Sequence, residues 1–192
     1  MSIVVEHEKR RRQILKKALD VFIEEGFEDA TFQKIADKCN ITRTTLYMYF
    51  RNRQEIFNFS IKQFMADLEQ DILKIKEGPL SCPEKIKKTL LLILKHLEEN
   101  RLLLSIVLDF FKSKNPNIIR RRTVRLRHIM SAMLIDGMKQ GEIKKINVAA
   151  ANDLFNSLFE AAIFRLVVLK RESGAELKEA AELAVNGLIA AK

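Results

Sequence analysis

The sequence has few residues that interrupt helices or cross-link chains. Its 192 residues include three prolines, six glycines, two cysteines and no tryptophan. Scarce proline and glycine favour long, unbroken helices, because both residues destabilise a helix interior. Cys39 and Cys82 form neither a disulfide framework nor the paired spacing of a metal site, so we expect two free thiols.

The sequence also lacks long hydrophobic runs. Its most apolar stretches, residues 102–108 and 161–169, are too short to span a bilayer, and the second is interrupted by Arg165. Three apolar residues followed by a basic run at the start do not form a signal peptide. We therefore expect a cytoplasmic protein that makes no membrane contact.

Motifs for catalysis are missing as well. No serine or cysteine lies in a recognisable arrangement with histidine and an acid, and there is no glycine-rich phosphate loop or cluster of metal ligands. We expect neither an enzyme nor a protein that depends on a metal or cofactor.

Positive charge is in excess. The formal net charge is +9 and the isoelectric point about 9.6, which favours a polyanionic partner. Residues 1–60 hold only 11 Lys and Arg against nine Asp and Glu. If this end of the chain meets nucleic acid, the placement of its charges matters more than their sum.

Apolar residues recur with helical periodicity along the whole chain, and no segment has the pattern of a strand. The sequence predicts an all-α protein of about nine helices. Their expected positions are residues 8–25, 31–38, 42–50, 52–76, 84–99, 101–112, 118–139, 147–171 and 175–191. Gly26 stands where a helix C-terminal cap belongs.

Residues 31–50 have the pattern of a helix-turn-helix. Thr31 and Thr42 are N-cap residues for two short helices, and Asn40 between them tolerates a positive φ. In this motif the start of the second helix enters the DNA major groove, which would bring in Thr42, Arg43, Thr44 and Thr45. Arginine can pair with guanine, and threonine can offer a hydroxyl or its methyl group.

Both tyrosines of the chain, Tyr47 and Tyr49, follow directly after these residues. A tyrosine can pack one edge on the protein while its hydroxyl meets a phosphate. Two other interpretations stay open: helix-turn-helix geometry also occurs in proteins that bind no DNA, and a tyrosine here can be a core residue with a solvated hydroxyl.

Residues 10–57 closely resemble the DNA-binding domain of the TetR family of bacterial transcriptional regulators. The matching residues are Ala18, Phe22, Gly26, Phe27, Thr31, Ile35, Ala36, Leu46, Tyr47, Tyr49, Phe50 and the "NRQEIF" that opens the next helix. The "GMKQGEI" of residues 137–143 also looks like the family's helix end before its last helix pair. One departure is Asn40, where the family usually has glycine.

The resemblance implies a three-helix DNA-binding domain at residues 1–54 and a helical ligand-binding and dimerisation domain at residues 55–192. It places Arg43, Thr44 and Thr45 near base edges of double-stranded DNA. It places Thr31, Tyr47 and Arg53 near phosphates, whereas Tyr49 either contacts DNA or mainly packs. The basic run at residues 9–12 either adds phosphate contacts or is a solvated helix end.

Residues 147–191 are rich in alanine and apolar on wide faces, so they would form a homodimer by pairing two helices with two from a second copy. The alternative is that they complete the core of the monomer.

A small, largely apolar ligand would need polar groups within an apolar shell. The candidates are His96, Asp109, Arg122, Asn152, Asn156 and Glu160. Each could instead be solvated or paired internally, and Asp109 with Arg122 could form a structural ion pair. The five arginines of residues 120–127 either attract an anionic ligand, such as an acyl thioester, or form a solvated face.

Together these features indicate a homodimeric, ligand-responsive repressor that binds a palindromic operator. An activator or DNA-organising protein without a ligand is the first alternative. The second is a helical interaction module without sequence-specific DNA binding.

Overall fold

A computed structural model describes residues 3–113, 117–171 and 175–190, without the side chains at 3, 4, 109, 111–113 and 117–123. The described residues form nine α-helices and one π-helical turn, Phe164–Val168. The helices are α1 Ile3–Asp29, α2 Phe32–Cys39, α3 Arg43–Tyr49, α4 Arg53–Glu77, α5 Cys82–Glu99, α6 Arg101–Ser113, α7 Asn117–Lys139, α8 Val148–Ile163 and α9 Ala175–Asn186. The predicted all-α class is confirmed, and no helix in these ranges is both long and apolar enough to cross a membrane.

The chain folds as two compact units. The first comprises Met1–Asp67 together with Ile106–Lys114, and the second comprises Leu68–Ser105 together with Asn115–Lys192. The helices α4 and α6 each begin in one unit and end in the other.

The first unit has an aromatic core. The rings of Phe22, Phe27, Phe57 and Phe110 lie 4.6–5.9 Å apart, mostly edge to face. Aromatic side chains bury large apolar areas, and this geometry adds a favourable electrostatic contribution. Phe110 belongs to α6, so a segment more than fifty residues further along the chain than Phe57 completes this core.

The second unit is built around α5, which packs against α7, α8 and α9. Its core is mainly aliphatic, with Leu90, Leu94, Met133 and Leu134 among the buried side chains, and it includes one buried aromatic ring, that of Phe155.

Local capping explains where α5 begins. The sequence predicts a loop to residue 84, but the helix begins two residues earlier, at Cys82. The hydroxyl of Ser81 accepts a hydrogen bond from the backbone N–H of Glu84, and the Glu84 carboxylate accepts one from the N–H of Ser81. This reciprocal pair is a capping box, which satisfies two N–H groups that the helix itself leaves unpaired.

The end of α8 also differs from the expected continuous helix at 147–171. Residues 148–163 are α-helical, and the backbone then widens into the π-helical turn. Lys170 takes a φ of 52°, and this left-handed conformation ends the segment because a right-handed helix needs a negative φ at every residue.

The motif of residues 137–143 forms a tight junction in the second unit. A Cβ on Gly137 would lie 2.5 Å from Ile143 Cδ1 and 2.8 Å from Cys82 Cβ, so only glycine fits there. The backbone of Lys144 donates to Leu188 O and that of Ala190 to Glu142 O. These bonds attach the end of the chain to the connection between α7 and α8.

Candidate DNA interface

Two threonine caps and one asparagine turn hold α2 and α3 in place. The Thr31 hydroxyl accepts a hydrogen bond from Lys34 N at 3.2 Å. Asn40 has φ 53° and ψ 48°, the left-handed conformation that the sequence predicts, and its N–H bonds to Asp37 O at 3.0 Å. The reversal therefore needs only one residue in the left-handed region, and asparagine tolerates that region better than most.

The exposed face of α3 is polar and its opposite face is buried. Leu46 and Phe50 are fully buried, whereas Arg43 and Thr44 are exposed. The Thr42 hydroxyl accepts a hydrogen bond from Thr45 N at 3.0 Å and lies 2.8 Å from the Thr45 hydroxyl. Since these two hydroxyls are engaged in the cap, Arg43 and Thr44 carry the groups that a partner can reach.

Tyr47 combines packing and exposure. Its ring lies 4.6 Å from that of Phe32, yet half of the residue's surface, 50%, remains exposed. Its hydroxyl accepts a hydrogen bond from Arg43 Nη2 at 3.2 Å. The guanidinium and the phenol, one helical turn apart, therefore position each other on the exposed face.

Tyr49 has a different environment. Its ring stacks on the imidazole of His7, with ring centres 4.6 Å apart, and lies 6.5 Å from the ring of Phe50. It is half-buried. This tyrosine joins α3 to the beginning of α1 and projects away from the face that carries Tyr47.

Arg53, at the first position of α4, is held by the end of α1. Its Nη2 lies 2.6 Å from Glu28 Oε2, its Nη1 donates to the Glu28 carbonyl, and its guanidinium lies 4.8 Å from the ring centre of Phe27. Asn52, the residue before it, caps α4, since Asn52 Oδ1 accepts a hydrogen bond from Glu55 N at 2.8 Å. The Glu55 carboxylate then reaches Arg51 N rather than the N–H of the cap residue.

The lysines of α2 form ion pairs with glutamates of α1. Lys34 pairs with Glu25 and Lys38 with Glu24, each at 2.6 Å. The hydrogen bond that the Lys38 ammonium donates to the Glu24 carboxylate raises the pKa of Lys38. These ion pairs engage the exposed cations of α2.

The beginning of α1 differs. Arg10, Lys16 and Lys17, together with Cys39, line a surface cleft of about 300 Å³. Within the described ranges no carboxylate pairs with these three cations. Burial raises the pKa of the Cys39 thiol, an effect that the nearby Lys17 and Arg10 oppose. The cleft is therefore a positively charged surface beside the end of α2.

The polar residues predicted to contact a ligand fall into three groups. Asn152 is buried, and its amide donates to Ser131 Oγ at 2.7 Å. His96 and Asn156 are half-buried, and Glu160 is exposed. The side chains of Asp109 and Arg122 lie outside the described part of the chain.

Two arginines of residues 120–127 have acidic partners. Arg125 lies 3.0 Å from the buried carboxylate of Glu69, and Arg127 lies 2.7 Å from Asp153.

Within the described ranges, no group of His, Cys, Asp and Glu side chains is arranged to hold a metal ion.

Sequence reasoning missed one exposed residue of α3. Met48 is 76% exposed, more than any other large hydrophobic side chain in the described residues. It lies one helical turn after Thr44 and beside Tyr47. The four-residue spacing from the exposed Thr44 indicates that Met48 is exposed too. A methionine between two tyrosines, however, suggests core packing.

The sequence around α2 and α3 matches a known protein family, and longer stretches of the chain align with two regulators. Residues 14–58 match the family model described as bacterial regulatory proteins, tetR family. The uncharacterised HTH-type transcriptional regulator YhgD of Bacillus subtilis is 22% identical over 158 residues, which are 81% of this chain and 83% of that protein. The fatty acid metabolism regulator protein of Bacillus subtilis is 27% identical over 144 residues, which are 69% of this chain and 70% of that protein.

A similar fold is found in solved structures. A TetR transcription regulator from Haloarcula marismortui matches with a TM-score of 0.82 at 17% identity, over 95% of this chain and 99% of that one. The family-model match covers the second half of α1, α2, α3 and the start of α4, and the likeness in fold extends over nearly the whole chain.

Proposed function

We propose that this chain, a DNA-binding transcriptional regulator of the tetR family and not an enzyme, is a ligand-responsive homodimeric repressor of a palindromic operator. The observation that carries the proposal is the two-sided character of α3. Its buried side fixes the helix in the domain, while its capped beginning exposes Arg43 and Thr44. Since its target is chromosomal DNA, the protein would act in the bacterial cytoplasm.

Base contacts are assigned to the exposed side chains at the start of α3. Arg43 can bond in a bidentate manner to guanine O6 and N7, and Thr44 can offer its hydroxyl or its methyl group. Thr42 and Thr45 also lie at this end, but their hydroxyls bond within the cap. Their role would be to set the direction of the helix, with Thr45 reaching a base edge through its methyl group.

Phosphate contacts are assigned to groups around α3. The α2 N-terminus at Thr31 offers backbone N–H groups and a partial positive charge, and the Tyr47 hydroxyl is exposed. The cations of the α1 cleft, Arg10, Lys16 and Lys17, add a positive surface, which favours a phosphate role for Arg10 of the basic run and for the two lysines. Arg53 is engaged by Glu28, so its role would be to fix the beginning of α4.

The dimer would form through residues 147–191. The inner sides of α8 and α9 are used within the subunit, where Phe155 and Ala181 are buried. The same region exposes five large apolar side chains: Leu154 of α8, Phe164 and Val168 of the π-helical turn, Leu169 directly after it and Leu183 of α9. Apolar side chains exposed along two neighbouring helices are typical of a protein interface. A two-fold dimer would place two α3 helices about 34–36 Å apart, the spacing of successive major grooves.

A ligand from fatty acid metabolism is the first class to test, because a relative that aligns over most of this chain is named as a fatty acid metabolism regulator. An acyl thioester combines a long apolar chain with an anionic head. Of the candidates from the sequence, His96, Asn152 and Asn156 are the described residues with the burial that a ligand contact needs. Asn152 would exchange its bond to Ser131 for one to the ligand.

The coupling between ligand and DNA would use α4 and α6, since each helix runs from one compact unit into the other. A ligand that favours one conformation of the second unit can shift the first through such shared elements. Phe110 of α6 lies 4.6 Å from Phe27 and 4.7 Å from Phe57, so a displacement of α6 would disturb the aromatic core of the first unit, the unit that contains α3.

The test has two stages. Purified protein and its Arg43→Ala variant are used to select genomic DNA fragments at about physiological ionic strength. Enrichment of a short palindrome by the native protein alone supports sequence-specific reading. Acyl thioesters of different chain length are then titrated into the protein–operator complex. A ligand that stabilises the protein without weakening operator binding would exclude the proposed response.

A further inference from the structure

Met48 has an exposure that folding does not explain. The side chain is 76% exposed, although methionine usually fills gaps in a core. The neighbouring Leu46 and Phe50 are fully buried, so the helix has a core face and Met48 is not on it. A flexible apolar side chain displayed beside polar groups gains no packing energy within the subunit.

Met48 lies on the same exposed face of α3 as the residues assigned to base contacts. Arg43, Thr44, Tyr47 and Met48 stand at i, i+1, i+4 and i+5 of α3, and all four are exposed. Side chains four residues apart lie about 5–6 Å from each other on a helix surface, so Thr44 and Met48 are neighbours. A groove that receives Arg43 and Thr44 also receives Met48.

The chemistry of the thioether selects one kind of base edge. A methionine side chain has no hydrogen-bond donor and only a weak acceptor. In the major groove, the C5-methyl group of thymine is the apolar feature of the base edges. We propose that Met48, with the methyl group of Thr44 beside it, reads thymine methyl groups in each operator half-site. This inference rests on the proposed function.

The test uses deoxyuridine, which differs from thymidine at the base only by the missing methyl group. Once an operator has been selected, each symmetric pair of thymines is replaced in turn by uracil, and binding of the full-length protein is measured at fixed salt. We expect one or two positions at which uracil weakens binding about tenfold to twentyfold, the effect of two methyl groups lost from apolar contact.

The variants identify which side chain makes the contact. Met48→Ala should weaken binding to the thymine operator and lose the sensitivity to uracil at one of those positions. Met48→Leu, the matched control, keeps an apolar side chain and should retain most of that sensitivity. Thermal unfolding should be nearly the same for all three proteins, because the exposed side chain contributes little to the core.

Two results would overturn the inference. One is a Met48→Ala variant as sensitive to uracil as the native protein at every position. The other is an equal loss of affinity for both operators, which would mean that Met48 contacts the DNA backbone. Failure to select any motif would instead remove the proposed function itself, so the two failures are distinguishable.

Discussion

Substitution of Arg53 tests whether an arginine at the start of α4 stabilises the fold or contacts DNA phosphates. Its ion pair with Glu28 is largely at the surface, since the side chains are 32% and 76% exposed. Such a pair contributes about 0.2–1 kcal/mol. The contact with the Phe27 ring adds about 0.5–1 kcal/mol. Arg53→Ala should therefore lower the free energy of unfolding by about 1–2 kcal/mol, measured by urea denaturation.

The DNA side of the test is the salt dependence of operator binding. Each phosphate contact contributes about 0.9 to the slope of log K against log salt, so two lost contacts per dimer would reduce the slope by about 1.8. We expect no such change for Arg53→Ala, whereas Lys17→Ala, the matched control from the α1 cleft, should reduce the slope. Glu28→Gln should destabilise the protein slightly without raising its affinity for DNA.

The opposite pattern would refute this reasoning. If Arg53→Ala reduced the slope by the value of two phosphate contacts, the guanidinium would have to leave Glu28 when DNA binds. A gain in operator affinity in Glu28→Gln would mean the same, because the substitution frees Arg53 without removing it.

Three further predictions concern the junction, the dimer and the cap. Gly137→Ala should lower the stability measured by thermal unfolding, because an overpacking cost of about 1–3 kcal/mol outweighs a gain in helix propensity of about 1 kcal/mol. Adding Ile143→Val to this variant should restore part of the lost stability. Leu183→Glu should give monomers in sedimentation and weaken operator binding, whereas Leu80→Glu, an exposed leucine outside residues 147–191, should change neither. Thr42→Ala should cost about 0.5–2 kcal/mol in urea unfolding and weaken operator binding, whereas Thr42→Ser should retain both.

The features of the first unit that depend on neighbouring residues could be predicted from the sequence. The caps at Thr31 and Thr42 and the left-handed turn at Asn40 all form as expected. Each arises from a preference that acts within about one helical turn. Such preferences are written in the sequence because their partners are only a few residues away.

The features that depend on distant residues could not be predicted. Arg53 meets Glu28, 25 residues earlier, and α6 contributes Phe110 to an aromatic core whose other members precede residue 60. Nothing in the local pattern of "RLLLSIVLDFFK" distinguishes a helix buried in one unit from a helix that enters two. Such pairings are set by the path of the chain, which helical periodicity does not specify.

The two tyrosines show how both kinds of information are needed. In the sequence they form a pair, separated by one residue and unique in the chain. On a helix, two residues of separation turn a side chain by about 200°, because the α-helix has about 3.6 residues per turn. Tyr47 and Tyr49 therefore cannot share a face. Tyr47 lies against Phe32 and reaches Arg43, whereas Tyr49 stacks on His7 of α1. One phenol belongs to the exposed face of α3 that carries Arg43, and the other attaches that helix to α1.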